Sequence, residues 1–255
     1  MILRRAHIIL VDISGYTQFI RRHRVSLIHA EQIITDLLEC VIDASGHPLT
    51  LNKLEGDAAL FYALIDEGEE ASAGERERRS ATVVLRQLEG FFAAFQARER
   101  ELVSDCTLCA CDACAKSGEL RLKVIAHTGT IVVKRVRQFE EIAGEDVILA
   151  HRLLKNSVPS HEYLLLTEPF HALSGPPHDT PLETLTENCE GTGEIRVHVH
   201  YPSGAMAARG NPASFWRKLK TNLRLESHLV KRLFTKPARP FHHLPSPPGE
   251  TVSRT

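Results

Sequence analysis

The sequence predicts an α+β domain, one sheet covered by helices on one side, followed by a basic helical extension. Three observations predict it. Short apolar runs rich in β-branched residues interleave with longer stretches whose apolar positions recur at helical spacing. The connections are short and no internal repeat is present. The charge also divides along the chain: residues 203–255 hold ten Lys/Arg and two Asp/Glu, a formal +8, leaving 21 basic and 30 acidic residues, a formal −9, for the rest. That asymmetry marks an acidic body and a basic tail with an electrostatic role.

The elements follow in order. Ala6–Val11 is a continuous apolar run ended by Ser14-Gly15 and suits a strand buried on both faces. A basic pair precedes it, but Asp12 interrupts the run where a cleavage site would follow, so it does not read as a signal peptide. Between Tyr16 and Ala44, Ile28, Ile33, Ile34, Leu37, Leu38 and Val41 recur at helical spacing. Pro48–Lys53 and Ala58–Leu64 read as two strands joined by a tight turn at Glu55-Gly56. Asp66–Arg79 is charge-rich and reads as a solvated loop entering a helix. Val83, Val84, Leu88, Phe91, Phe92 and Phe95 then mark a long amphipathic helix running towards Leu102. Leu120–His127 and Thr130–Val136 are expected to form a hairpin around Gly129, followed by a helix over Val147–Leu154 and a strand over Glu162–Thr167.

We place the domain boundary at residue 202, giving a body of 1–202 with a cysteine-rich insertion at 104–117, and a tail of 203–255. In the tail Phe215, Leu219, Leu223, Val230 and Leu233 line one face of a helix carrying six Lys/Arg between Arg217 and Arg232. Lys236–Pro248 then holds five of the thirteen prolines and is not expected to fold. The helix could lie on an anionic membrane surface, pair with the acidic body or a protein partner, touch nucleic acid, or simply pack one face on its own domain. Of these, nucleic acid is not an expected partner. No stretch approaches the roughly eighteen apolar residues of a spanning helix. A cytoplasmic, reducing setting is expected, in which cysteines favour metal over disulfides.

Cys106, Cys109, Cys111 and Cys114 form C-x-x-C-x-C-x-x-C. Four thiolates satisfy a tetrahedral Zn²⁺, which makes structural zinc the first reading. The pairs stand closer than in common zinc ribbons, so a metal shared between chains, an iron–sulfur cluster, a redox role and unligated thiols remain alternatives. Cys40 reads as a core residue and Cys189 as a loop thiol. The fourteen histidines offer no site at this level, and His127 reads as a packing residue.

Two acidic positions carry the functional reading. Asp12 closes the first strand in VDISGYT and Asp57 opens the third in KLEGDAALF. Carboxylates at neighbouring strand ends can hold Mg²⁺ against nucleotide phosphates, although each Asp beside Gly could equally start a turn.

In that context VDISGYTQFI resembles the first motif of class III adenylyl and guanylyl cyclases, and NKLEGDAALFYA their second. LKVIAHTGTIVV is similar to their His-Ser/Thr-Gly strand, and IAGEDVILAHRLL to the helix ending in Ala-x-Arg-Leu. The four motifs stand in the family's order across roughly residues 6–170. The resemblance implies a ferredoxin-like βαββαβ core and a homodimer with sites at its interface. It implies Mg²⁺ or Mn²⁺ on Asp12 and Asp57, with the Ile13 carbonyl as a further ligand. Lys53 and Glu141 would read the purine, Lys53 leaning towards ATP, and Arg152 would stabilise the phosphoryl transition state. The family's ribose-orienting Asn is here Ile148. Two functions are therefore expected to compete: a slow ATP-using cyclase, and a pseudo-cyclase serving as nucleotide sensor or scaffold.

Overall fold

The computed structural model describes residues 1–22, 27–65, 72–105, 117–177 and 182–202. The four clustered cysteines and the basic tail lie outside the described residues. The chain begins with β1 (Ile2–Ser14), α1 (Tyr16–Arg22) and α2 (Leu27–Asp43), then the hairpin β2 (Thr50–Glu55) and β3 (Ala58–Leu64). The long α3 (Ala73–Asp105) leads to β4 (Arg121–Val136), β5 (Phe139–Ala143), α4 (Glu145–Arg152) and β6 (Tyr163–Thr167). It closes with α5 (Glu168–Ser174), β7 (Leu182–Cys189) and β8 (Gly193–His200).

These strands form one sheet in the order β2-β3-β1-β4-β6-β8-β7, with β5 paired to β4 alone. The first four neighbours, β2-β3-β1-β4, pair antiparallel throughout, which is the ferredoxin-like βαββαβ arrangement the motifs imply. Among the described residues only the β4–β6 pair is parallel.

Strand β1 is central because its sequence is apolar on both faces. Ile9, Val11 and Ile13 enter a core with Ile33, Leu37 and Val41 of α2 and Val84, Leu88, Phe91 and Phe95 of α3. Ala6, Ile8 and Leu10 enter a second core with Val147, Leu149 and Ala150 of α4. Helices therefore cover both faces, and the expectation of one-sided cover is corrected. Helix α4 is only eight residues long, with two acids and a basic pair, and gave too short a pattern to assign a side. On the other face, α3 is tied to α2 by Arg98 Nη2 donating to Asp36 Oδ2 at 2.5 Å.

The expected hairpin around Gly129 is also corrected. Strand β4 runs unbroken through it, with Gly129 opposite Ala6, and the turn falls at Arg137 before β5. Glycine is required here for close approach. A Cβ at this position would run into the Asp146 side chain, which reaches across from the first turn of α4. That carboxylate accepts from the Thr130 backbone N–H at 2.5 Å and from His127 Nε2 at 3.1 Å. Cys189 is likewise no loop thiol. It ends β7 and is buried, whereas Cys40 is half-buried on α2.

Adding a methyl group at a packed contact of this kind costs about 1–3 kcal/mol. Gly129→Ala should therefore lower stability by that order in urea unfolding. In an Asp146→Ala background the same substitution should cost much less, a coupling that a double-mutant cycle reads directly.

Candidate functional site

The site begins where β1 runs out of apolar sequence. Asp12 lies opposite Ala58, so the preceding residue of the β2–β3 turn, Asp57, stands beside it. Gly56 takes a positive φ of 68° to make that turn. The Ile13 backbone N–H donates to the Asp57 carbonyl at 3.1 Å and pins the turn to the end of β1. Asp12, Ile13 and Asp57 are thus brought together by backbone pairing alone.

The electrostatics follow from that placement. Burial pushes the Asp57 carboxyl up to about 6, and the charge of Asp12 pushes in the same direction. Burial raises Asp12 too, opposed by Lys123, whose Nζ lies 3.5 Å from Asp12 Oδ2. Glu31 of α2 adds a third carboxylate whose charge reaches Asp57, and it accepts from the Tyr16 hydroxyl at 3.0 Å. Asp12 and Asp57 stand near one ammonium, and the charge of Glu31 adds to the excess of negative charge felt at the half-buried Asp57. Such a donor set of hard oxygens fits Mg²⁺ or Mn²⁺.

The other sequence-predicted residues lie elsewhere on the chain. Lys53 shares a sheet face with Leu60, the same face that carries Asp12, and its Nζ pairs with Glu55 Oε1 at 2.7 Å. Glu55 in turn stands 3.6 Å from His151 at the end of α4. Glu141 lies on β5 opposite Lys134. Its neighbour Glu140 accepts from the Tyr62 hydroxyl at 2.5 Å, and the Glu140 carbonyl accepts from Asn52 Nδ2 at 3.1 Å, holding β5 over β2. Arg152 turns to the β7–β8 turn, donating to the Glu190 carbonyl and, at 3.4 Å, to Thr192 Oγ1. Ile148, four residues earlier on the same helix, is 52% exposed. These contacts join neither Lys53 nor Arg152 to Asp12 and Asp57.

Sequence reasoning missed Lys123 and Asp146. Lys123 shares its face with Asp12 only because β1 and β4 pair in that register. Asp146 stands in the first turn of α4, and Gly129 seventeen residues before it was the one signal that something must approach β4 closely.

A βαββαβ core with paired carboxylates at the β1 and β2–β3 ends defines a class: the fold is that of class III adenylyl and guanylyl cyclase catalytic domains. The chain is similar to the adenylyl cyclase CyaB from P. aeruginosa at 12% identity and a TM-score of 0.54, over 81% of this chain and 98% of that one. It is similar to adenylate cyclases from Trypanosoma brucei, solved in their monomeric state, at 14% identity and a TM-score of 0.55, over 80% and 92%. The guanylyl cyclase Cya2 gives 13% identity and 0.54, over 83% and 98%. Within that fold the chain belongs to the family described as "Protein of unknown function (DUF2652)", whose pattern matches residues 34–163. It is 33% identical over 214 residues to "Uncharacterized protein Rv2561/Rv2562" of Mycobacterium tuberculosis, covering 83% of this chain and 94% of that protein.

The raised Asp57 carboxyl makes a stability prediction for metal-free protein. An unfolded chain releases this proton near 3.8, the native one near 6. Native stability is therefore lost progressively as pH rises through that window and stays lower above it. Asp57→Asn removes the ionisation. It should stabilise the protein above pH 6, with a gain that shrinks as pH falls towards 4, read by urea unfolding in chelator.

Proposed function

We propose that this chain binds a purine nucleoside triphosphate, ATP by preference, together with Mg²⁺ or Mn²⁺ at Asp12 and Asp57, and converts it slowly to a cyclic nucleotide. The observation that carries this reading is the paired carboxylates, held together at a desolvation cost by the Ile13–Asp57 backbone bond. Natural proteins keep unfavourably buried charge mostly where function needs it. The adenylyl and guanylyl cyclases of the same fold supply the substrate class.

In this proposal the divalent cation supplies charge neutralisation at the triphosphate. Asp12, Asp57 and the Ile13 carbonyl hold it, and Lys123 is placed to meet a phosphate oxygen once its carboxylate partner is engaged. Lys53 and Glu141 bind the purine edge. The ribose 3′-hydroxyl gives its proton to solvent, its oxygen bonds to the α-phosphorus, the bond from that phosphorus to the oxygen bridging to the β-phosphate breaks, and pyrophosphate leaves. Arg152 stabilises the developing charge.

We infer that a second copy completes that set, a reading supported by the contacts of Lys53 with Glu55 and of Arg152 with the β7–β8 turn, which join neither residue to Asp12 or Asp57 of its own chain. A homodimer would bring them across to the partner's carboxylates. Exposed apolar side chains at Ile148, Phe139 and Val136, each more than half exposed, support such a surface. The doubled C-x-x-C supports structural zinc in the insertion. The basic tail is the segment we assign to an anionic membrane surface or a partner protein.

Ile148 favours a second reading, a pseudo-cyclase that binds nucleotide without turning it over. An isoleucine cannot hydrogen-bond a ribose, and misplacing an attacking atom by about an ångström costs on the order of a hundredfold in rate. Purified protein incubated with ATP or GTP and Mn²⁺ decides between the two. The first reading expects slow cyclic product, lost in Arg152→Ala and raised at least about tenfold in Ile148→Asn. A folded, ATP-binding Ile148→Asn protein that makes no product would establish the pseudo-cyclase instead.

A further inference from the structure

On the sheet face opposite Asp12, a second group of ligand atoms converges. Helix α5 follows β6 directly and places Glu168 and His171 one turn apart. Strand β8 presents His198 from the same face as Leu166, towards the helices of the first core. Glu168, His171 and His198 each offer one ligand atom, and these lie within 4.8 Å of one another. The imidazoles of His171 and His198 stack with centroids 4.0 Å apart, and His198 Nε2 lies 2.9 Å from Glu168 Oε2.

We propose that Glu168, His171 and His198 form a zinc-class site: a borderline divalent transition metal held by two imidazoles and one carboxylate.

The chemistry of the donors supports this over an ordinary ion pair. An imidazole stacked on another gains nothing from charging both. Partial burial of His171 and its stacking on His198 disfavour a charge on both rings, and a neutral imidazole offers a lone pair. Its Nε2 is buried and has no hydrogen-bond partner among the described residues, a cost of the kind that a ligand removes. His198 is supported from behind by Thr184 Oγ1, 3.1 Å from Nδ1. A hydroxyl both donates and accepts, so Thr184 can stabilise the tautomer in which Nδ1 carries the proton and Nε2 faces the metal. Tetrahedral zinc ligands at about 2.0–2.1 Å stand roughly 3.3 Å from one another, inside the span the three atoms already occupy. Imidazole and carboxylate together suit Zn²⁺ over Mg²⁺. Three protein ligands leave a fourth position for water. The charge of Arg196 also reaches Glu168 and sets a limit on affinity.

The site would clamp α5 onto the β7–β8 hairpin. It is independent of the nucleotide reading, since none of its residues lies on the face of Asp12 and Lys53.

The test uses the full chain with Cys106, Cys109, Cys111 and Cys114 changed to Ser, so that thiolates do not compete, and Zn²⁺ alone as probe. Calorimetric titration should give one equivalent per chain and a zinc-dependent rise in Tm. His171→Asn and Glu168→Gln, both on the partly exposed α5, should each abolish or strongly weaken that equivalent. Thr184→Val should weaken it by about 10–100-fold while leaving the metal-free Tm near that of the parent. No zinc equivalent in the folded Cys→Ser protein, or unchanged binding in folded His171→Asn, would overturn the proposal.

Discussion

The backbone bond from Ile13 N–H to the Asp57 carbonyl is the constraint on which the rest of this site depends. It extends the β1–β3 ladder one step beyond its last side-chain pair, so the β2–β3 turn cannot swing away from the end of β1. Two carboxylates are thereby held close together and partly buried, where burial disfavours ionising either. A turn free to relax would separate them and gain solvation. The fold resists because β1 is packed on both faces, and moving its end would disturb two cores at once.

A second constraint fixes α4, the helix that carries Ile148 and Arg152. The Asp146 carboxylate docks against the bare backbone of Gly129 and takes hydrogen bonds from Thr130 and His127. His127 is buried and lowered by that burial, so it serves as a neutral donor rather than a charge partner. Its other ring nitrogen lies 2.9 Å from Thr167 Oγ1 at the end of β6. The His-Thr-Gly run thus acts as a socket for the start of α4. From there the helix turns Arg152 towards the β7–β8 turn and leaves Ile148 exposed.

The sequence carried much of this and missed definable parts. The central strand, the β2–β3 turn at Gly56 and the phenylalanine-rich face of α3 were legible because their periodicities are long or their turn chemistry is local. Gly129 was misread because a glycine inside a β-branched run signals either a turn or a close approach, and only the position of Asp146 decides which. Lys123 was invisible because its relation to Asp12 exists only in the β1–β4 register. Glu168, His171 and His198 gave no motif either, since His198 reaches the other two through β-pairing rather than through spacing. Strand and helix identity is written in near neighbours. Site composition here is written in the pairing of β1, β4, β6 and β8, which a single sequence does not display.

The central claim is that the Asp12–Asp57 pair holds a divalent cation for nucleotide binding. Titrating Mn²⁺ into metal-free protein while following its free-ion electron paramagnetic resonance signal tests this most directly. The account predicts that the parent removes Mn²⁺ from solution, that ATP tightens the binding, and that Asp12→Asn or Asp57→Asn abolishes the ATP-dependent part while the chain stays folded. Equal Mn²⁺ uptake by the parent and both folded variants, with and without ATP, would contradict it.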